Sequence, residues 1–309
     1  MRILQLDKNH PLISAQLQAK GFEVVEDHTS TYDEVLSIIK DYDGIIIRSR
    51  IPLDQHFLES ASHLKFIARV GAGMENIDVD VAEKLNILLI NSPEGNRDSV
   101  AEHVVGMLLL LMHRLFIASM EVKEGIWLRE ENRGDEILGK TVGLIGYGNM
   151  GKATAKRFQG FGCKVLFYDI KPDLGDEYAT QVTLEELQKE SDIISLHVPI
   201  TPDTHYLIDE KFIESMSKPF YLVNTARGKN VKTDALVNAL KEGKVKAAAL
   251  DVLEFEKSSF EKLDFVNEDL NYLLNSEKVI ITPHIGGWTV QSKEKLAQII
   301  VDKIINSFS

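Results

Sequence analysis

One cysteine, Cys163, stands among the 309 residues, so no intrachain disulfide can form and no secreted, disulfide-built scaffold is implied. Placed at the start of an apolar run, it reads as a small buried residue rather than a reactive thiol. Positive charge is also short: 35 Lys and Arg against 47 Asp and Glu leave a formal net charge of −12. That balance argues against nucleic acid or an anionic membrane as the main partner, although a small anionic substrate needs only local basic residues. Long apolar runs are missing. The most apolar stretch, 104–112, is about half of a bilayer span and stops at His113-Arg114. The apolar part of the N-terminal segment is too short for a signal peptide, and a cytoplasmic location is expected. His103, His113, His197 and His205 lack metal-ligand spacing, so no metal is expected. What remains is ordinary for a globular chain, at 44% hydrophobic and 27% charged residues. The length allows about two domains, each able to bury its own core.

The most specific motif lies at the centre. An apolar run ending at Ile145 feeds directly into Gly146-Tyr147-Gly148-Asn149-Met150-Gly151, a G-x-G-x-x-G pattern. A helical pattern follows, then a second apolar run, 164–168, closed by Asp169, 18 positions after Gly151. This is the dinucleotide fingerprint in its strand–turn–helix–strand setting. Gly146 permits the tight turn, Gly148 lets backbone approach a pyrophosphate, and Gly151 lets helix pack on strand. The helix beginning near Asn149 aims free N–H groups and a positive dipole end at the phosphates. Asp169 can accept hydrogen bonds from ribose hydroxyls and would repel a 2′-phosphate, so NAD is expected over NADP.

Before the motif, strand-like runs at 3–6, 22–25, 44–47, 66–70 and 87–90 alternate with helical patterns at 12–20, 32–40, 53–61 and 79–85. Repeated strand–helix units imply a parallel sheet covered on both faces. This region has no phosphate fingerprint and is expected to be a separate domain. The turn-rich 91–98 marks a crossing between domains. Ser99 is expected to cap the next helix, with Glu102 completing a capping box. That helix should run to about Glu124, its middle, 104–112, buried on nearly all sides in a core or a subunit interface. Further strands are expected at 142–145, 164–168, 193–196, 220–223, 245–250 and 279–281, a surface excursion at 257–271, and a last helix at 290–308.

Three strand ends of the central domain carry chemistry-bearing residues. Asn224-Thr225-Ala226-Arg227-Gly228 offers a guanidinium suited to holding a carboxylate and polarising a neighbouring carbonyl. Leu250-Asp251-Val252-Leu253-Glu254-Phe255-Glu256 ends in acids, and Thr282-Pro283-His284-Ile285-Gly286-Gly287 supplies a histidine, the natural proton carrier near neutral pH. A carboxylate beside it would hold its tautomer and stabilise the imidazolium; spacing alone leaves Glu254 and Glu256 both open. In the first domain, Arg48-Ser49-Arg50 and Arg69-Val70-Gly71-Ala72-Gly73 also sit at strand ends, where the Gly71 and Gly73 N–H groups could receive an anion and Arg48 and Arg50 add positive charge.

Together these residues resemble the D-2-hydroxyacid dehydrogenase family over nearly the whole chain. The resemblance adds Gly139-Lys140-Thr141, Leu196-His197-Val198-Pro199, Thr201-Pro202 and Thr204 to the motifs above. It implies an α/β architecture of two doubly wound parallel-sheet domains: a Rossmann NAD-binding domain, 99–285, and a flavodoxin-like substrate domain, 1–98 with 286–309. The active site is implied to lie in the cleft between them. Arg227 would bind the substrate carboxylate and His284 would take the hydroxyl proton. The spacing of the family's glutamate from its aspartate selects Glu256. Cofactor contacts are implied for Gly146, Gly148, Asn149, Met150, Gly151, Asp169, His197, Val198, Pro199, Thr204, Thr225, Ala226, Arg227, Asp251, His284, Gly286 and Gly287, with Asp251 at the nicotinamide carboxamide. Substrate contacts are implied for Arg48, Arg50, Val70, Gly71, Ala72, Gly73 and Asn96. The activity implied is NAD-dependent oxidation of a D-2-hydroxyacid by a homodimer. The Arg48–Arg50 pair suggests 3-phosphoglycerate as substrate and hence a place in serine synthesis. Reduction of hydroxypyruvate or glyoxylate, oxidation of D-lactate, and an NAD-sensing corepressor are the rival expectations. Lys257 stands where the family usually has proline, and no carboxy-terminal regulatory domain is expected after Ser309.

Overall fold

A computed structural model of the chain describes residues 1–256 and 268–308. The first part of the 257–271 excursion, Lys257 included, therefore lies outside the described residues. Contacts divide the chain into two compact units, one formed by Met1–Arg97 and the segment from Trp288 onward, the other by Asp98–Gly287.

The first unit alternates strand and helix: β1 (Arg2–Gln5), α1 (Leu12–Ala19), β2 (Glu23–Glu26), α2 (Tyr32–Ile38), β3 (Gly44–Ile47), α3 (Gln55–Ser60), β4 (Phe66–Arg69), α4 (Val79–Lys84) and β5 (Leu88–Asn91). The strands are short and rich in branched residues, and all pair in parallel in the order β2-β1-β3-β4-β5. That is the flavodoxin-like doubly wound order. Asp54 and Asp78 cap α3 and α4, and Thr31 with Glu34 forms a capping box on α2.

In the second unit, α5 (Arg97–Met112) and α6 (Leu115–Lys123) precede a sheet. Its elements are β6 (Thr141–Ile145), α7 (Asn149–Phe158), β7 (Lys164–Tyr168), β8 (Thr180–Gln181), α8 (Leu184–Glu190), β9 (Ile193–Leu196), α9 (Glu210–Ser215), β10 (Phe220–Asn224), α10 (Thr233–Glu242), β11 (Val245–Leu250), α11 (Glu268–Asn275) and β12 (Val279–Ile281). Seven parallel strands run β12-β11-β10-β9-β6-β7-β8, so the winding reverses between β6 and β9. Buried side chains from β6, β7, β9, β10 and β11 fill layers on both faces of this sheet. A final helix, α12 (Val290–Phe308), belongs to the first unit and sets Ala297, Ile300, Val301 and Ile304 against Ile3, Ile46 and Phe66 of its sheet.

Two expectations for the long helix are corrected. It does not continue to Glu124: it breaks at His113-Arg114, where Arg114 adopts φ 52°, and α6 leaves at 61° to α5. Ser99 is not its cap either. The helix begins at Arg97, and the Ser99 hydroxyl donates instead to Gly286 O at 2.6 Å. Within 104–112 the single chain leaves Gly106 and Leu110 exposed and buries the other residues wholly or in part. Among the described residues no single helix is long and apolar enough to cross a membrane; only the bent α5–α6 pair passes by length and composition together.

Candidate active site

In open parallel sheets, ligands gather beyond the carboxyl ends of strands where the winding reverses. In the second unit that point is the turn after β6, facing the end of β9. Gly146 turns there with φ 93°, and a Cβ on it would lie 2.6 Å from His197 O. Gly151, in the first turn of α7, approaches Gly146 O so closely that a Cβ would stand 2.2 Å away. Gly148 differs: a Cβ there would meet nothing within 4 Å. The first and third glycines are thus demanded by protein, whereas the second faces open space at the helix N-terminus.

Asp169, past the end of β7, accepts from Tyr147 N at 2.7 Å and from Lys171 N at 2.9 Å, which sets its carboxylate against the fingerprint turn. Tyr147 is buried, stacks on Phe167 with ring centroids 3.7 Å apart, and donates to Asp176. Burial and that carboxylate push its phenol far above its ordinary range. Two polar atoms on the neighbouring strand ends are buried without a partner, His197 Nδ1 and Thr225 Oγ1. The other ring nitrogen of His197 lies 3.0 Å from Ser195 Oγ, and burial lowers its imidazole to about 4, so it is neutral near pH 7. Open space at Gly148, a carboxylate at the second strand and unsatisfied polar atoms fit a dinucleotide laid across this edge.

The next strand ends hold the chemistry. β10, β11 and β12 are consecutive in the sheet, and Arg227, Glu256 and His284 follow them in turn. Asn224 organises the Arg227 loop by donating to Arg227 O at 2.9 Å and accepting from Ala226 N at 3.0 Å. Gly228 allows a close approach, since a Cβ would stand 1.9 Å from Leu253 O. Glu256 Oε2 lies 2.9 Å from His284 Nδ1, and its other oxygen accepts from Leu253 N at 2.5 Å. Glu254 is engaged elsewhere: it accepts from Thr233 N and Oγ1 at the start of α10 and from the Tyr206 hydroxyl. The choice that spacing left open between the two acids is resolved by contact with His284.

His284 itself has φ 55°, a left-handed conformation rare for a residue with a side chain. Its N–H reaches Asp251 O at 2.8 Å and Thr282 O at 3.0 Å. The Asp251 carboxylate, 2% exposed, accepts from Thr282 Oγ1, Ile285 N and Gly286 N. Burial alone would raise its pKa, but these donors and His103 hold it below the usual carboxylate value. The side chain expected at a carboxamide is therefore turned into the His284 loop. Cys163 donates weakly to Phe158 O, and burial pushes its thiol up, away from reactivity.

In the first unit the strand-end arginines part company. Arg50 turns back into its own domain, with Nε 2.5 Å from Leu6 O, Nη2 3.0 Å from Asp27 O and Nη1 on Ser30 O. Arg48 lies over the Trp288 ring, 4.4 Å from its centroid. Arg69, for which the sequence suggests no role, donates from Nε to Arg48 O at 3.3 Å, and its guanidinium fills the space that a Cβ on Gly71 would need. The Val70–Gly73 turn is tied to β3 and β5 through Val70 N to Ile47 O and Asn91 Nδ2 to Ala72 O. Asn96 Oδ1 is buried without a partner.

Residues 105–286 match the family described as D-isomer specific 2-hydroxyacid dehydrogenase, NAD binding domain. A hydroxypyruvate reductase of Thermotoga maritima is 40% identical over 93% of this chain and 92% of its own. A D-3-phosphoglycerate dehydrogenase of Methanocaldococcus jannaschii is 38% identical over 89% of this chain but only 51% of its own length. The crystal structure of D-lactate dehydrogenase from Aquifex aeolicus, complexed with NAD and lactic acid, superposes with a TM-score of 0.84 at 33% identity, covering 100% of this chain and 95% of that one. With the fingerprint, the switch-point glycines and the three consecutive strand-end residues, these matches make the chain a member of the D-isomer specific 2-hydroxyacid dehydrogenase family, an NAD-dependent oxidoreductase.

Proposed function

We propose that the protein interconverts 3-phosphoglycerate and 3-phosphohydroxypyruvate, the entry reaction of serine synthesis, with Arg227, Glu256 and His284 as its catalytic residues and the first unit as its substrate domain. Bound NAD supplies the hydride acceptor for oxidation and, in reduced form, the donor for the reverse. Arg227 holds the substrate carboxylate and polarises the oxygen on C2. Glu256 engages His284 Nδ1, which leaves Nε2 as the ring atom that handles the C2 hydroxyl proton. A neutral imidazole accepts that proton in oxidation, and an imidazolium returns it in reduction.

The substrate choice rests on one observation. Arg48 follows β3 and Arg69 ends the neighbouring β4, Arg69 Nε donates to Arg48 O, and the Arg69 guanidinium lies beside the Gly71 turn. In a chain of net charge −12, a guanidinium beside a glycine turn, with a second arginine at the neighbouring strand end, suits a phosphate dianion. Arg69, whose guanidinium lies beside Gly71, thus takes the part first given to Arg50, which turns back onto Leu6, Asp27 and Ser30. Hydroxypyruvate reduction is the second reading, favoured by the 40% identical relative matched over nearly its full length. Absorbance of reduced nicotinamide, followed with phosphohydroxypyruvate, hydroxypyruvate and glyoxylate, decides between them. Arg48→Ala and Arg69→Ala should lower kcat/KM for the phosphorylated substrate about tenfold or more relative to hydroxypyruvate. Equal losses on both substrates would favour the second reading.

A second copy of the chain is the proposed occupant of the apolar face around α6. Leu115, Phe116, Met120 and Val122 are exposed there, and Trp127 just beyond is 81% exposed, which is unusual for a surface facing only water. Sedimentation should give a dimer that Phe116→Glu weakens.

A further inference from the structure

The loop that carries His284 is gripped by α5, through residues that the proposed reaction does not use. Thr282 Oγ1 lies 2.6 Å from Asp251 Oδ1 and 3.0 Å from His103 Nε2, and that nitrogen is 3.3 Å from the same carboxylate oxygen. A hydroxyl has one proton to give, and an ionised carboxylate can only accept. The Thr282 proton therefore goes to Asp251; the Met107 thioether at 3.8 Å is the weaker acceptor. Thr282 Oγ1 must then accept from His103, which fixes the His103 proton on Nε2. One turn earlier on α5, Ser99 Oγ donates to Gly286 O at 2.6 Å. Residues four apart share a helix face, so α5 holds the segment 282–286 at both ends.

Between those ends His284 keeps its left-handed backbone, a conformation that persists only where the surroundings over-determine it. No slack is left at Gly286, where a Cβ would stand 2.8 Å from Asp251 Oδ2 and 3.3 Å from His103 Cδ2. We propose that His103, assisted by Ser99, is a positioning residue for His284. Its Nε2–H orients the Thr282–Asp251 pair, and through that pair it fixes the backbone that aims the His284 ring. The proposal rests on the reading of His284 as the proton carrier.

The test uses His103→Leu, His103→Gln, Ser99→Ala and His284→Ala in the full chain, with kcat, KM, NADH affinity and Tm measured for each. A glutamine amide can place an N–H near the position of Nε2–H; leucine cannot. His103→Leu should lower kcat about tenfold or more while NADH affinity stays within about twofold, since small misplacements of a reacting group cost rate rather than binding. His103→Gln should recover most of that loss, and Ser99→Ala should show a smaller one. The proposal is overturned if His103→Leu keeps its kcat, if His103→Gln is as slow as His103→Leu, or if kcat, Tm and NADH affinity all fall together. Activity that survives His284→Ala overturns the proton-carrier reading and the positioning role with it. An inactive His284→Ala beside an unimpaired His103→Leu removes only the positioning role.

Discussion

Replacing Glu256 by glutamine tests the acid–base pair at its most constrained point. The carboxylate uses both oxygens, one on Leu253 N at 2.5 Å and one on His284 Nδ1 at 2.9 Å. An amide has one acceptor oxygen and one NH2 group, so it cannot serve both donors. If its oxygen stays with Leu253, the NH2 faces Nδ1 and drives the imidazole proton to Nε2, the wrong tautomer for taking a proton from substrate. If the oxygen turns to His284, the Leu253 N–H loses its acceptor, at a cost of about 1–3 kcal/mol. Removing the charge alone should cost about 1–1.5 kcal/mol, the difference between a charge-assisted and a neutral hydrogen bond. The pair is little screened, with side-chain exposures of 14% and 27%. Glu256→Gln should therefore lower kcat by about tenfold at least, since about 1.4 kcal/mol is one decade. The assay is nicotinamide absorbance with saturating oxoacid at fixed pH, beside a thermal melt. Glu254→Gln is the control: an amide oxygen can keep Thr233 N and Oγ1, and its NH2 can face the Tyr206 hydroxyl, so it should cost about 1–1.5 kcal/mol of stability as charge-assisted bonds become neutral and leave kcat nearly unchanged. Comparable kcat losses in the two variants, or none in Glu256→Gln, would refute the reasoning.

The fingerprint glycines should separate cleanly. Gly151→Ala, pressed to 2.2 Å from Gly146 O, should lower Tm and NADH affinity together, whereas Gly148→Ala, with open space at its Cβ, should leave Tm alone and still weaken NADH binding in a fluorescence titration. His197 adds a pH dependence. Its folded-state value, lowered to about 4 from 6.5, means that the unfolded chain binds this proton first. Its contribution to stability is therefore full above pH 6.5 and is lost as pH falls toward 4, by up to about 3 kcal/mol. Urea melts at pH 7 and pH 5 should show a drop that His197→Gln reduces, and equal drops would contradict it.

Strand positions were legible because runs such as 44–47 and 193–196 are apolar, branched and bounded by turns, and a parallel sheet buries both faces of its strands. The fingerprint was legible because its glycines answer local demands: a positive φ at Gly146 and a close approach at Gly151. Contacts between distant residues were not. Ser99 has the spacing of a capping box with Glu102, but its partner is Gly286, 187 positions away. Arg50 and Arg69 follow strands alike, and only the fold decides that one turns onto backbone carbonyls while the other lies beside Gly71. His103, one of several scattered histidines, carried no signal at all. The two-residue β8 fell below the length at which an apolar pattern can be read.

Because α12 seals one face of the first unit's sheet, that sheet cannot finish folding when its own strands have left the ribosome. Its apolar side waits for residues 297–304, which are made only after the whole nucleotide-binding unit. The central unit can thus mature first, while the early strands stay incomplete and exposed to holdase chaperones and proteases. Loss of the final helix should leave the fingerprint unit folded and turn the N-terminal sheet into the site of aggregation.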